Sequence, residues 1–239
     1  MNGLKSKKSD STSFFAIFLI LSFVNLIAVQ VNHVDDTDET YGYWEPLHYL
    51  LFGVGMQTWE YAPEFAIRTY SFVFPFWIAG FLFSFACPSK LALFYAIRTF
   101  LGICNAFVAS KFIGSIELAF GSRLSHLTFC FFLTSPGMFY TSTSLLPSAF
   151  TMTITMITFT AWLKERFVTS IFFGCIAVLW SGWPFVGVLL VPLGIHMLVT
   201  TFAEAGVSAV ARLTFLGLIT LLGVGLPPIL IDSWFYGRM

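Results

Sequence analysis

Hydrophobic positions run along this chain in long uncharged blocks, without the regular polar face that marks a soluble helix or strand. The blocks are residues 11–32, 69–89, 124–163, 167–203 and 213–231, with His counted as neutral. A helix needs about 20 mainly apolar residues to cross a hydrocarbon core of about 30 Å, so each block predicts at least one spanning helix. Lipid does not tolerate irregular backbone, so most of the chain is expected to be helix. The predicted fold is therefore all-α, a polytopic integral membrane module.

Composition supports that pattern. Hydrophobic residues make up 57% of the 239 positions and charged residues 10%, against roughly 25% charged in soluble domains. Mean hydropathy is +0.84. No sizeable soluble domain fits between the blocks. Lys5, Lys7 and Lys8 precede the first span, 14–31, and basic flanks stay cytoplasmic. Residues 1–13 are then a cytoplasmic amino terminus, and residues 32–66 lie across the membrane. A secretory signal peptide begins in the same way, but the length of the run and the spans after it favour a retained anchor.

The same rule orders the rest of the module, residues 67–231. Residues 67–87 are expected to return toward Lys90, and 91–118 to go back out. The 40 residues of 124–163, broken by Pro136-Gly137 and Pro147, are expected to make one net crossing to Lys164 and Arg166. Residues 167–183, 185–203 and 213–231 then alternate. That makes seven net crossings and leaves 232–239 on the side of the 32–66 loop.

Charge is balanced, 12 basic against 12 acidic residues, but it is unevenly placed. Asp35, Asp36, Asp38, Glu39, Glu45, Glu60 and Glu64 all lie between Asn32 and Tyr70, where Arg68 is the only basic residue. No basic stripe exists to neutralise phosphates, so nucleic acid is excluded as a partner. The scattered cysteines (87, 104, 130 and 175) lack metal-ligand or redox spacing and read as buried hydrophobes. No N-x-[ST] sequon and no internal repeat is present.

Chemistry is therefore sought in the loop. Four carboxylates within five residues repel one another, which is one way to prepare a general base. A solvated acidic turn at the membrane surface is the plainer reading of the same residues. Trp44-Glu45-Pro46 and Trp59-Glu60-Tyr61-Ala62-Pro63 are similar aromatic–acid–proline clusters. Between them Leu47, Leu50 and Leu51 recur at helical spacing, and Gly53 and Gly55 end the piece. Such short helices lie in the interface, with Trp and Tyr at headgroup depth, and their rings also stack on sugars. His126 and His196 read as core or interfacial residues. Arg98, Lys111 and Glu117, near a span where ionisable groups are expensive and often functional, carry no assigned role. Lining a transport path is one alternative for them.

The string Asp36-Thr37-Asp38-Glu39-Thr40-Tyr41-Gly42-Tyr43-Trp44-Glu45-Pro46-Leu47-His48-Tyr49 resembles the first luminal loop of the dolichol-pathway α-1,2-mannosyltransferases, glycosyltransferase family 22 of the GT-C superfamily. Gln57-Thr58-Trp59-Glu60-Tyr61-Ala62-Pro63 and Ala66-Ile67-Arg68-Thr69-Tyr70 are similar to the stretch that follows. Further similarities occur at Gly137-Met138-Phe139, at Leu146-Pro147-Ser148-Ala149-Phe150, at Gly182-Trp183-Pro184-Phe185 and at 231–238. Gly42 departs from the family pattern, which usually has a polar residue there. The family's enzymes are much longer, so the chain is expected to be truncated at its carboxyl terminus, and a catalytically inactive fragment or isoform is an alternative.

The resemblance implies a GT-C-like module in the endoplasmic reticulum membrane with its active loop luminal. It implies a donor, dolichyl-phosphate mannose, an acceptor, lipid-linked oligosaccharide, and inversion at the anomeric carbon. Inversion needs one carboxylate to take the acceptor's proton, a role worth roughly 10²–10⁴-fold in rate. Asp38 is the expected base, Glu39 its support or the acceptor's anchor, and Asp36 the competitor. Arg68, Arg238 and His48 are expected to meet the phosphate leaving group, while Tyr43, Trp44, Glu45 and Trp59 are expected to contact substrate. No cofactor is expected beyond the donor lipid, and binding of a divalent cation to the acidic cluster is left open by the residues themselves.

Overall fold

The computed structural model describes the backbone of residues 2–237 and the side chains of 14–237. The described chain is helical. It comprises α1 (Asn2–Val31), α2 (Thr37–Glu39), α3 (Glu45–Phe52), α4 (Tyr70–Ser84), α5 (Lys90–Phe120), α6 (Ser122–Thr134), α7 (Pro136–Thr141), α8 (Pro147–Leu163), α9 (Phe167–Leu179) and α10 (Gly187–Tyr236). Among the described residues, three helices are long and apolar enough to cross a membrane: Phe14–Val31, Lys90–Phe120 and the run Pro184–Tyr236.

The helix ends follow local chemistry. Asp36 accepts the Asp38 amide at 2.8 Å and starts α2. A π-helical turn, Thr40–Trp44, joins α2 to α3, and Gly53 in the left-handed region (φ 70°) stops the run. Ser89 caps α5 through the Ala92 amide, and Pro136 and Pro147 occupy the first turns of α7 and α8, where no helical amide is needed. Gly206 (φ 74°, ψ −170°) breaks α10 into segments 187–205 and 207–236.

Contacts along the bundle give each helix a direction. Lys111 of α5 lies over the Phe14 ring, Asn25 donates to the Gly102 carbonyl, and Arg98 donates to the Asn32 carbonyl. Helices α1 and α5 are therefore antiparallel, and α5 starts beside the 32–70 loop. Ser125 of α6 bonds to Ile113, whereas Ser142, just after α7, reaches Asn25. The α6–α7 pair thus climbs back to the loop end, and α8 descends again, with Thr153 meeting Asn105. Helix α9 ascends, since Ser170 bonds to Thr158 and Gly182 abuts Thr69. Segment 187–205 descends (Trp162 to His196), and 207–236 ascends (Trp180 to Val224, then Thr69 to Asp232).

One expectation about order is corrected by this geometry. Residues 70–84 do not carry the chain to the far end of the bundle. Helix α4, 15 residues long, stays at the loop end. It lies on α3 instead: the Trp77 indole donates to the Leu50 carbonyl, and Gly80 meets Leu51. Lys90 consequently sits beside His48, at the loop end. Residues 124–163, in turn, run up the bundle through α6–α7 and back down through α8, with the 135–146 segment turning beneath the loop. A core of Tyr43, Leu47, Phe72, Val73, Phe76, Leu93, Ile97 and Leu145 fills the space between the loop and the helices beneath it.

Candidate functional site

The polar groups at the loop end converge on Arg68. Its guanidinium donates to Asp38 at 3.2 Å, to Glu60 at 3.0 Å and to the Tyr43 hydroxyl at 2.6 Å. Burial works against the charge of Arg68, but the Glu60 hydrogen bond and the Tyr43 oxygen outweigh it and hold the guanidinium more firmly protonated than usual. Burial pushes the Tyr43 phenol up, with Arg68 opposing, and pushes the Tyr61 phenol up much further. Both phenols are thus neutral hydrogen-bonding groups. Tyr61 donates to the Gly42 carbonyl at 2.7 Å. Gly42 itself packs on Arg68, whose nearest guanidinium atoms lie 3.4 Å from where a Cβ would stand. A side chain at position 42 would therefore lie in contact with this arginine.

The two adjacent acids in α2 face opposite ways. Asp38 has a side chain 64% exposed and touches the protein through Arg68. Glu39, 1% exposed, points inward and accepts the Leu145 amide at 2.9 Å and the Trp44 indole at 3.0 Å. An acceptor anchored by Glu39 would have to displace both. Asp36 spends its carboxylate on the α2 cap. Glu45 accepts the Met56 amide, and His48 meets Lys90 at 3.1 Å. Tyr43 is buried, Trp44 packs on Phe94 at 4.6 Å, and Trp59 is exposed beside Phe65. Arg238 lies outside the described residues. His48 and Asp38 are separated by ten residues of continuous helix, roughly 15 Å along the axis, so they do not share one site.

Several partners of the site carry no signal in the sequence. Glu60 pairs with Arg68 inside an irregular loop that has no periodicity to read. The Leu145 amide reaches Glu39 across 106 positions. Asp232, at the end of α10, accepts from the Thr69 hydroxyl at 2.6 Å and the Ser71 amide at 3.0 Å, and so clamps the start of α4. Tyr236 donates to the Arg68 carbonyl, and Phe235 stacks on Tyr70 at 4.4 Å. Arg98, almost fully buried, ties Asn32 to Thr143. Among the described residues no group of three His, Cys, Asp or Glu side chains is placed to hold a metal ion.

An all-helical chain with long apolar helices and one polar, aromatic-rich end has the architecture of a membrane protein. The chain belongs to the Alg9-like mannosyltransferase family, whose pattern matches residues 14–239. It is 33% identical over 226 residues to alpha-1,2-mannosyltransferase ALG9 of Homo sapiens, covering 93% of this chain and 35% of that protein. It is 40% identical over 191 residues to alpha-1,2-mannosyltransferase alg9 of Schizosaccharomyces pombe, covering 78% of this chain and 33% of the relative. GPI mannosyltransferase 3 of Debaryomyces hansenii is 24% identical over 241 residues, covering 98% of this chain and 43% of that protein. The chain thus spans about a third of the length of the ALG9 relatives it matches. No solved structure matches it.

Proposed function

We propose that this chain carries the catalytic loop of an α-1,2-mannosyltransferase of the endoplasmic reticulum membrane, which moves mannose from dolichyl-phosphate mannose to lipid-linked oligosaccharide during N-glycan precursor assembly. The observation that supports it most is Asp38: an exposed carboxylate, oriented by a caged arginine, at the end of the bundle where the family-like segments meet. In this reading the acceptor hydroxyl attacks the anomeric carbon of mannose and passes its proton to Asp38. The carbon–oxygen bond to phosphate breaks on the opposite face, the configuration inverts and dolichyl phosphate departs. Arg68 orients Asp38, Glu60 and Tyr43 hold Arg68, and Glu39 fixes α2 from below.

The proposed topology keeps seven net crossings in a different order. Helices α1 (out), α5 (in), α6–α7 (out), α8 (in), α9 (out) and segments 187–205 (in) and 207–236 (out) cross, while α4 lies along the luminal loop. Basic residues support this sidedness, because Lys111, Arg123, Lys164, Arg166 and Arg212 gather at the end away from the loop, as cytoplasmic flanks do.

The test is complementation. The 239-residue chain, expressed in cells that lack this transferase and accumulate mannose-deficient lipid-linked oligosaccharide, should extend that intermediate. Asp38→Asn should lower extension by about 10²–10⁴-fold at unchanged abundance. No extension by a correctly inserted chain would overturn the transferase reading, and full activity of the variant would remove Asp38 from the role of base.

A further inference from the structure

The Lys90–His48 pair lies outside the cluster around Asp38, and its surroundings have a chemistry of their own. Lys90 Nζ is 3.1 Å from His48 Nε2 and 4.4 Å from the centre of the Phe52 ring. Neither neighbour is an acid, and among the described residues no carboxylate stands within 4.0 Å of this ammonium. Beside it opens a cavity of about 190 Å³. Its floor is Leu47, Leu51, Leu93 and Ile97, its wall Trp44 and Phe94, and its rim Lys90 and His48. Glu45 also lines it, but that carboxylate accepts the Met56 amide.

A cationic rim over an apolar floor matches a lipid whose phosphate stays at the surface while its first carbons enter the protein. Sidedness sharpens the point. In the proposed topology Lys90 is luminal, against the bias that keeps basic residues cytoplasmic. Distance then selects which phosphate. Roughly 15 Å of helix separates His48 from Asp38, too far for a phosphate bonded directly to the sugar carbon under attack.

We infer that Lys90 and His48 form a subsite for the phosphate of a lipid that remains intact during the reaction, with its first carbons on Leu47, Leu51 and Leu93. Two sources share that chemistry, an ordinary anionic phospholipid and the phosphorylated polyprenyl anchor of a lipid-linked acceptor. The second source, and the lipid's remaining intact, rest on the transferase reading above; an anion contact at Lys90 and His48 does not.

The test is native mass spectrometry of the full chain in detergent with three probes: dioleoyl phosphatidic acid, a polyprenyl diphosphate, and dioleoyl phosphatidylcholine as the zwitterionic reference. The chain should retain at least one anionic probe over phosphatidylcholine by about tenfold, the worth of one charge-assisted contact. Equal retention of both anionic probes assigns the subsite to headgroups in general, and preference for the diphosphate assigns it to a polyprenyl anchor. Lys90→Gln should remove the excess, Lys90→Arg should keep most of it, and Lys164→Gln, the same charge loss at the other end, should leave it intact. An excess unchanged in Lys90→Gln, or no excess in the unmodified chain, would overturn the subsite. A chain that binds the probe yet extends no oligosaccharide would overturn the transferase reading alone.

Discussion

Neighbouring residues in this chain do opposite jobs. Asp38 and Glu39 differ by one methylene and one position, yet a helical turn sends one carboxylate to solvent and the other beneath the loop. The inward acid answers two donors, the Leu145 amide and the Trp44 indole. Leaving such donors buried and unpaired costs about 1–3 kcal/mol each. Glu39→Leu should therefore lower thermal stability clearly, whereas Glu39→Gln, which keeps an acceptor oxygen, should cost much less; a thermal-shift assay in detergent reads the difference. Equal stability of the two variants would show that the hydrogen bonds are not what holds α2 down. Gly182 makes a second residue-level case. Its φ is 71°, and a Cβ there would stand 2.8 Å from the Thr69 methyl. Gly182→Ala should destabilise by about 1–2 kcal/mol from backbone strain, with the methyl contact adding to it.

Among the elements, α4 departs most from what its composition suggests. It is as apolar as a spanning helix but lies on α3 through Trp77 and Gly80, with its first turn clamped by Asp232 from the far end of the chain. The clamp satisfies amide and hydroxyl donors at a helix start, where no intrahelical partner exists. Asp232→Ala should free that turn: hydrogen exchange across residues 69–73 should accelerate, while exchange in α5 stays slow. Uniform acceleration through both helices would mean that Asp232 supports the whole bundle rather than one end. The α2–α3 run shows the complementary case. Its leucine spacing and its stop at Gly53 are local features that were legible from the residues alone, whereas its cap at Asp36 was found only in the structure.

At the scale of the whole molecule, the order of crossings follows from which helices run antiparallel. With Cys87, Cys104, Cys130 and Cys175 replaced, single cysteines introduced as Thr37→Cys, Ser89→Cys and Lys164→Cys should divide by side. Positions 37 and 89 should react with an impermeant thiol reagent from the luminal face, and position 164 from the cytoplasmic face. Reaction of position 89 together with 164 would restore the order in which 67–87 crosses the membrane.

Length, hydropathy and the crowding of acids into one loop are properties of the residues themselves, so the sequence alone determined an all-helical membrane chain with a polar, aromatic loop and its Asp-Glu pair. Lipid imposes those features locally: a backbone in hydrocarbon must form helix, and charge must leave it. Direction and proximity are not local. Whether an apolar segment of 15 residues crosses the bilayer or lies on a neighbour depends on the surface offered to it, here α3 and Asp232. The pairing of Glu39 with Leu145, of Arg68 with Glu60, and of Lys90 with His48 likewise depends on contacts between segments 8 to 106 positions apart. Those contacts were decided only by the tertiary structure, because no spacing rule spans a turn whose path is set by packing.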